Sequence, residues 1–275
     1  MEIKDLAGLS EPITRLIDKI SDATGVLYEP KRIVRRAKAE AKAHVIAAQA
    51  DIEASDLRRR ALMRLVDEEA KKQENMEAIL DLAVPQITNE AKPDNMDDDW
   101  LVNFFDKGKT ISNEEAQKVW AKIISSETNS PGSFSKRTVN TLHSLDKIDI
   151  IKFENLCRFT WRTPDLFPII FNIDDDVYKN NDLTFINIMD LEELGLVHYD
   201  PVNNYQLRNR KGHSQLYYFE RIIGLYFGDD DNKSLDIGNL ILTQTGRELA
   251  KLTNVDRVDG YYEYVAQKWK KWIEE

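Results

Sequence analysis

The chain has 275 residues, of which 42% are hydrophobic and 31% are charged, and its formal net charge is -10. This composition excludes a disordered chain and is typical of a globular protein with one or two modest domains. The excess of acidic residues argues against a surface that binds DNA broadly through its phosphates.

A single cysteine, Cys157, excludes an internal disulfide bond and predicts a reducing compartment. It follows Leu156 on an apolar helix face, so we interpret it as a buried structural thiol rather than a nucleophile. No signal peptide, transit peptide or apolar run of about eighteen residues is recognisable. These observations predict a cytoplasmic protein.

Residues 1–29 contain a short amphipathic helix that Ser10 can cap, with Pro12 near its first turn. Its apolar face has to be buried, and two arrangements are open. The helix packs on the protein's own core or on a second copy, or it docks on a partner or a membrane surface. A membrane-surface helix usually carries more cations than Arg15 and Lys19 supply. The apolar face comprises Ile13, Leu16, Ile17 and Ile20.

Residues 30–83 follow one long helical pattern that no internal glycine or proline interrupts. A narrow, mostly alanine stripe recurs along it at spacings of four and three, which indicates a helix that pairs closely with another helix. We therefore expect a long helical arm that makes the protein a homo-oligomer. The alternative is a long hairpin with a bend near residues 51–56. The stripe comprises Ala43, Ala47, Ala50, Ala54, Leu57, Ala61 and Leu65.

Two basic clusters lie on this arm. The first is a candidate contact for an anionic partner, either a nucleic acid or an anionic membrane surface, and its alternative is a solvated helix face. The second, at residues 58–64, lies between acidic residues, so we interpret it as solvated helix surface. The first cluster comprises Lys31, Arg32, Arg35, Arg36 and Lys38.

Residues 84–97 have the composition of a linker, and residues 98–162 predict a central helical domain. Three acids at residues 97–99 start its first helix, and Ser112 with Glu115 predicts a capping box for the second. Ser133 or Ser135 is expected to cap the third helix. Asp146 is expected to cap the fourth, whose apolar side comprises Ile150, Ile151, Phe153, Leu156, Cys157 and Trp161.

Residues 163–275 predict a winged-helix-like α+β domain that ends in a helix at residues 261–272. Thr184 caps a helix that Gly195 ends, and strands at residues 196–199 and 205–208 follow, joined by a turn. A strand at residues 240–242 precedes a helix that begins at Thr243 or Thr245.

The winged-helix pattern is a candidate DNA reader, but its charges favour protein contact. The helix that would enter the groove carries Asp190, Glu192 and Glu193 and no cation, and phosphates repel such a helix. A DNA-binding regulator remains the alternative, because the flank of the second strand is basic. This flank comprises Arg208, Arg210, Lys211 and His213.

Enzyme motifs for nucleotide, metal or acyl chemistry are not recognisable in the sequence, so we expect no cofactor and no catalytic activity. Three consecutive acids, Asp174 to Asp176, predict a solvated loop, because neighbouring acids cannot all face one ion. A catalytic site assembled in space remains an alternative. Its candidate residues are Glu127, Arg137 and His143.

Several segments resemble an uncharacterised bacterial family known as domain of unknown function 2806. The most specific segment is PGSFSKRT at residues 131–138, and LILTQTGREL at residues 240–249 is similar to the C-terminal signature of the family. The other matching segments are PKRI at residues 30–33, EAKKQE at 69–74, DDWLVNFF at 98–105 and Trp120-Ala121. This resemblance implies no activity.

The Trp-Ala and Pro-Gly-Ser-Phe-Ser stretch, followed by a leucine-rich helix, also resembles abortive-infection alpha-type proteins, which are associated with bacterial defence against phage. We therefore expect a mainly α protein with a small α+β part, built from a helical arm, a central helical bundle and a winged-helix-like domain. Its expected function is a self-associating interaction protein of phage defence or stress response. Its expected partners are a second copy of itself and another protein, with nucleic acid or a membrane surface as the less favoured partners.

Overall fold

The computed structural model describes residues 9–25, 56–229 and 233–273. The basic cluster at residues 31–38, the first four alanines of the stripe and residues 51–55 of the considered bend lie outside the described residues. The chain forms two compact units, Met1–Val139 and Asn140–Glu275, which are described separately.

The first unit is helical throughout its described part. Helix α5 (Lys136–Ser144) spans the boundary between the two units. In chain order the elements are α1 (Glu11–Thr24), α2 (Asp56–Ala83), the 3-10 turns Val84–Gln86 and Pro93–Asn95, α3 (Asp98–Gly108), α4 (Glu114–Asn129) and α5 (Lys136–Ser144).

The amphipathic helix α1 packs on the core of its own unit. Its four apolar residues are all buried, and it contacts α3 and the Pro93–Asn95 turn. Two ion pairs hold it there, since Arg15 lies 2.6 Å from Asp94 and Lys19 lies 3.1 Å from Asp98. Of the two arrangements open from the sequence, this is the first.

The C-terminal half of α2 packs against α4, and aromatic side chains fill the core beside them. Trp100 stacks on Phe104 with ring centroids 5.1 Å apart, and Phe104 lies 5.0 Å from Trp120. The segment at residues 84–97 is tied to the end of α4, where Asn129 donates to the carbonyl of Gln86 at 3.0 Å.

Side-chain caps begin three of these helices, one of them in a different way from the sequence prediction. Asp97 accepts the amide of Trp100 at 2.7 Å, as expected for the start of α3. The capping box predicted at Ser112 is not formed. Instead Asn113 caps α4 by accepting the amide of Ala116 at 3.0 Å, because asparagine is as good a cap as serine and lies one residue closer to the helix.

The second unit combines short helices with small antiparallel sheets, which agrees with the expected α+β part. Its elements are α6 (Lys147–Cys157), β1 (Thr160–Thr163), β2 (Asp165–Pro168), α7 (Asp176–Lys179), α8 (Phe185–Glu193), β3 (Val197–Tyr199), β4 (Tyr205–Arg210), β5 (His213–Tyr218), β6 (Arg221–Tyr226), β7 (Lys233–Gly238), β8 (Leu240–Leu242), α9 (Gln244–Ala250), α10 (Tyr261–Lys268) and the 3-10 turn Lys270–Trp272.

The described residues form three sheets, with strand orders β2-β1-β5-β6, β3-β8 and β4-β7. The prediction that residues 196–199 and 205–208 pair as a hairpin is therefore wrong. Val197 lies opposite Leu242, and Leu207 lies opposite Leu235. Both strands pair instead with the returning segment at residues 233–242. In the turn between them, Asp200 accepts the amides of Val202 and Asn203 at 2.9 Å.

An aromatic cluster forms the core of the second unit. Tyr261 donates to the carbonyl of Ile169 at 2.7 Å, and Trp161 stacks on Tyr218 with centroids 5.2 Å apart. Phe153 and Cys157 of α6 also belong to this core. The second compact unit therefore begins upstream of the boundary at residues 162–163 that the sequence indicated.

Candidate protein-interaction surfaces

The first half of α2 carries the three described members of the predicted stripe. Leu57 is 69% exposed, Leu65 is 52% exposed, and Ala61 between them is exposed as well. Residues spaced by four lie on one side of a helix, so these three form one row. The same helix enters the core only from Asn75 onward.

The basic residues beside this row are mostly paired within α2. Arg59 and Arg60 contact Asp56 at 2.6 and 3.2 Å, and Arg64 contacts Glu68 at 3.4 Å. All these side chains are exposed. The arrangement fits the interpretation of solvated helix surface, and it leaves the apolar row as the distinctive feature of this half of α2.

A second apolar surface lies on α6 and α8, which pack against each other in the second unit. Lys152 of α6 contacts Asp190 of α8 at 2.6 Å. One helical turn before Lys152 lies Ile148, and one turn before Asp190 lies Ile186; these side chains are 58% and 70% exposed. We define the α6–α8 patch as Ile148, Ile151, Phe185, Ile186 and Met189, all of them exposed.

Two of the three charged residues of α8 are engaged in contacts within the unit, and the third, Glu193, is exposed. Asp190 pairs with Lys152, and Glu192 accepts the amide of Tyr199 at 3.0 Å. The helix carries no cation, and its exposed side presents apolar side chains. Such a side suits a protein partner, whereas a phosphate backbone would require cations.

The basic flank considered for DNA contact does not lie on a hairpin with β3. Arg208 and Arg210 belong to β4, which pairs with β7, and Lys211 follows them. His213 opens β5, where its ring lies 4.8 Å from the ring of Tyr226. These residues are therefore divided between two sheets.

The PGSFSKRT segment folds around a buried carboxylate. Glu127, which is 3% exposed, accepts the amides of Gly132 at 2.6 Å and Phe134 at 2.9 Å. The indole of Trp100 donates to the carbonyl of Phe134 at 2.7 Å. The Glu127 carboxylate thus holds the loop in place through these two amides. Arg137 and His143, the other members of the considered catalytic site, are exposed.

The two serines of this segment have different contacts. Ser135 caps α5, because its hydroxyl accepts the amide of Thr138 at 3.2 Å. Ser133 instead donates to the carbonyl of Ser130 at 2.5 Å and closes the preceding turn. Both contacts are structural.

The LILTQTGREL segment joins the start of α9 to the end of α8. Thr243 caps α9 by accepting the amide of Gly246 at 3.0 Å, and its hydroxyl donates to the carbonyl of Gly195 at 2.7 Å. Arg247 donates to the carbonyl of Leu242 at 2.9 Å. The signature therefore maintains the fold of the second unit.

Cys157 and the acidic loop at residues 174–176 were the two further sites considered from the sequence, and both make contacts that maintain the fold. Cys157 is buried, and burial raises the pKa of its thiol to about 12, which suppresses the nucleophilic thiolate. In the acidic loop Asp174 contacts Lys179 at 3.1 Å. Within the described ranges, no cluster of three or more His, Cys, Asp or Glu residues is arranged to hold a metal ion.

A family model described as "Protein of unknown function (DUF2806)" matches residues 59–266. The chain belongs to this family. Comparison with curated proteins and with solved structures gave no match. The DUF2806 match includes residues 131–138, which form the loop around Glu127, and residues 240–249, which contain the start of α9.

Among the residues that the structure describes, no helix is both long enough and apolar enough to cross a membrane.

Proposed function

We propose that this protein is a non-enzymatic, self-associating interaction protein, in which α2 pairs with the α2 of a second copy. The observation that carries this proposal is the exposed row of Leu57, Ala61 and Leu65 on a helix whose other half is buried. An apolar row of this kind marks an interface more often than a free surface.

Helix length supports the proposal. The 28 residues of α2 span about 42 Å, and among the described residues of its unit the helix is buried only from Asn75 onward. Two copies that pair along the first half would remove both rows from water at once. Ala61 lies between the two leucines and permits a close approach of the helix backbones.

Light scattering of the full chain tests self-association. The double substitution Leu57→Glu with Leu65→Glu should reduce the mass from a multiple of 31.8 kDa to 31.8 kDa. Met63→Glu is the matched control, because Met63 is 44% exposed but lies on the opposite side of α2. A wild-type mass of 31.8 kDa in dilute solution, or equal masses for the double variant and the control, would refute the proposal.

The α6–α8 patch is assigned to a different protein partner in this proposal. Phe185 and Ile186 lie at the start of α8, where a DNA-reading winged helix would need cations. We therefore assign the winged-helix-like arrangement of α8, the β3-β8 ribbon and α9 to protein contact. Retention on duplex DNA that weakens with salt and depends on α8 would favour the DNA-binding alternative instead.

We further propose a cytoplasmic role in bacterial defence against phage, supported by the resemblance to abortive-infection alpha-type proteins at residues 120–135. Cells that express the protein should show reduced plaque formation, and the Leu57→Glu, Leu65→Glu variant should lose this protection. Unchanged plaque numbers across a phage panel would contradict the defence role but would leave the self-association result intact.

A further inference from the structure

The outward face of the four-stranded sheet carries a continuous row of side chains. Leu166 of β2 lies opposite Arg162 of β1, Arg162 opposite Tyr217 of β5, and Tyr217 opposite Ile222 of β6. The neighbouring residues on the other face, such as Trp161, are buried in the core. The row therefore crosses the whole sheet on the side away from the core.

A cavity of about 210 Å³ lies along this row, lined by Thr160, Arg162, Leu166, Tyr217 and Phe219. This volume is smaller than the ~300–1,000 Å³ of pockets for drug-sized ligands. It suits one flat ring with a small polar substituent.

Phe219 has an unusual backbone at the edge of the cavity. Its φ is 51°, in the left-handed region that a two-residue hairpin turn normally fills with glycine. The turn joins β5 to β6, because Tyr218 lies opposite Arg221. The ring of Phe219 packs edge-on against the ring of Tyr218, with centroids 5.0 Å apart, and 38% of the side chain remains exposed beside the cavity.

Arg162 is a cation with no carboxylate partner among the described residues. Its contact is with the ring of Tyr217, whose centroid lies 5.6 Å from the guanidinium carbon. Arg221, by contrast, lies 2.5 Å from Glu263. The four strands contain one acid, Asp165. Because side chains alternate along a strand, Asp165 lies on the other face of the sheet from Arg162. Within the four strands this face therefore carries no carboxylate, although the chain has a net charge of -10, and Asp229 outside the strands accepts the hydroxyl of Tyr226 at 3.1 Å.

We propose that this sheet face binds nucleotide units of single-stranded nucleic acid, independently of the self-association proposed above. A base stacks on Tyr217 and Phe219 in the cavity, and its phosphate contacts Arg162. Aromatic stacking is tolerant of base identity, and arginine binds phosphate through two parallel hydrogen bonds. A free mononucleotide shares this chemistry.

The rest of the face favours a strand over a free mononucleotide. Beyond Ile222 the neighbouring row contains Gln215 and Gly224, and the row after it contains His213 and Tyr226. A Cβ atom at Gly224 would have no heavy atom within 4 Å, so the backbone there is open. The His213 and Tyr226 rings lie four residues along the strands from Tyr217 and Ile222, about 13 Å away, and provide a second stacking position for a base further along the nucleic acid.

Fluorescence anisotropy tests the proposal with labelled oligodeoxythymidine and oligouridine of about 12 nucleotides. Arg162→Gln should weaken binding about tenfold. It should also make the plot of log binding constant against log salt concentration less steep by about 0.7, the value for one lost phosphate contact. Phe219→Gly should weaken binding about tenfold while leaving the melting temperature unchanged or higher, since glycine accepts the positive φ. Lys251→Gln removes an exposed cation elsewhere in the same unit and is the matched control.

Each outcome decides the proposal. Weaker binding of both variants, with the Lys251→Gln control at wild-type affinity, supports it, and competition by adenosine monophosphate at equal concentration would identify the free nucleotide as the ligand. Equal affinities for wild type, Arg162→Gln and Phe219→Gly would overturn it. So would the failure of oligonucleotides and mononucleotide alike to bind at millimolar concentration. If Phe219→Gly melts early, the arginine variant alone decides.

Discussion

The carbonyl oxygen of Leu196 lies 2.0 Å from the position that a Cβ atom on Gly246 would occupy. The same oxygen accepts the amide of Thr243 at 3.0 Å. The start of α9 therefore lies directly against the end of α8. Gly246 does not have a positive φ, so space and not backbone conformation requires glycine here.

We expect Gly246→Ala to lower the free energy of unfolding by about 1–3 kcal/mol, because a methyl group there must displace backbone. Urea denaturation followed by circular dichroism measures the change. The control is Gly224→Ala, where a Cβ atom meets no heavy atom within 4 Å, and its stability should equal or exceed that of wild type. Equal stability of Gly246→Ala and wild type would show that the backbone at Leu196 can move away from residue 246 at little cost.

Glu127 should be the most sensitive residue of the PGSFSKRT loop. Glu127→Gln replaces one charged acceptor with an amide group that faces a backbone N–H, so we expect a loss of about 2 kcal/mol in the free energy of unfolding. Glu115→Gln, at an exposed carboxylate that contacts Lys118 at 2.6 Å, should barely change stability. A Glu127→Gln protein as stable as wild type but inactive in a plaque assay would indicate a functional carboxylate instead.

The serines of the same loop should contribute less. Ser135→Ala removes the cap of α5 and should cost about 1 kcal/mol, whereas Ser133→Ala removes one turn contact and should cost less. Thermal melting of the single and double variants measures both effects. Light scattering should show unchanged association, and a change of mass without a change of melting temperature would contradict the capping role.

Local signals in the sequence predicted local structure well. Asp97 and Thr184 cap the helices expected of them, and the strand at residues 240–242 and the helix after Thr243 are present. Caps and amphipathic faces depend on residues three or four apart, so one segment of sequence contains the whole signal.

Pairings between distant strands could not be predicted in this way. The sequence suggested that β3 pairs with its neighbour β4, the commoner arrangement, but the partner of Val197 is Leu242. The β5–β6 hairpin could not be predicted from the sequence either, because its turn has Phe219 at the position where glycine usually indicates a hairpin.

The candidate surfaces were predicted only in part. The Leu57–Leu65 row follows from spacing, but the α6–α8 patch does not, because Ile150 and Ile151 were assigned to the apolar core side of their helix. They are 39% and 43% exposed, so that assignment was wrong. Which apolar residues stay uncovered depends on the packing of α8 against α6, and periodicity along one helix cannot show it.

Alkaline pH should destabilise the second unit, because three of its buried groups keep their protons only while the unit is folded. Burial raises the pKa of Tyr218 and of Cys157 to about 12, and it raises the pKa of Tyr261 well above its ordinary value. These groups are neutral in the folded protein but ionise near pH 9–10 when unfolded. The folded state therefore binds more protons in this range, so stability is complete below about pH 9 and falls as pH rises toward 12.

The urea midpoint measured at several pH values from about 8 to 12 checks this expectation. Tyr218→Phe should be less stable at neutral pH, because the hydroxyl donates to the carbonyl of Arg158 at 2.9 Å, but it should lose less stability as pH rises. Tyr217→Phe, which removes an exposed hydroxyl of the same sheet, should keep the wild-type slope. A urea midpoint that stays constant up to pH 12 would mean that water reaches these side chains without unfolding, and the buried aromatic core would not limit alkaline stability.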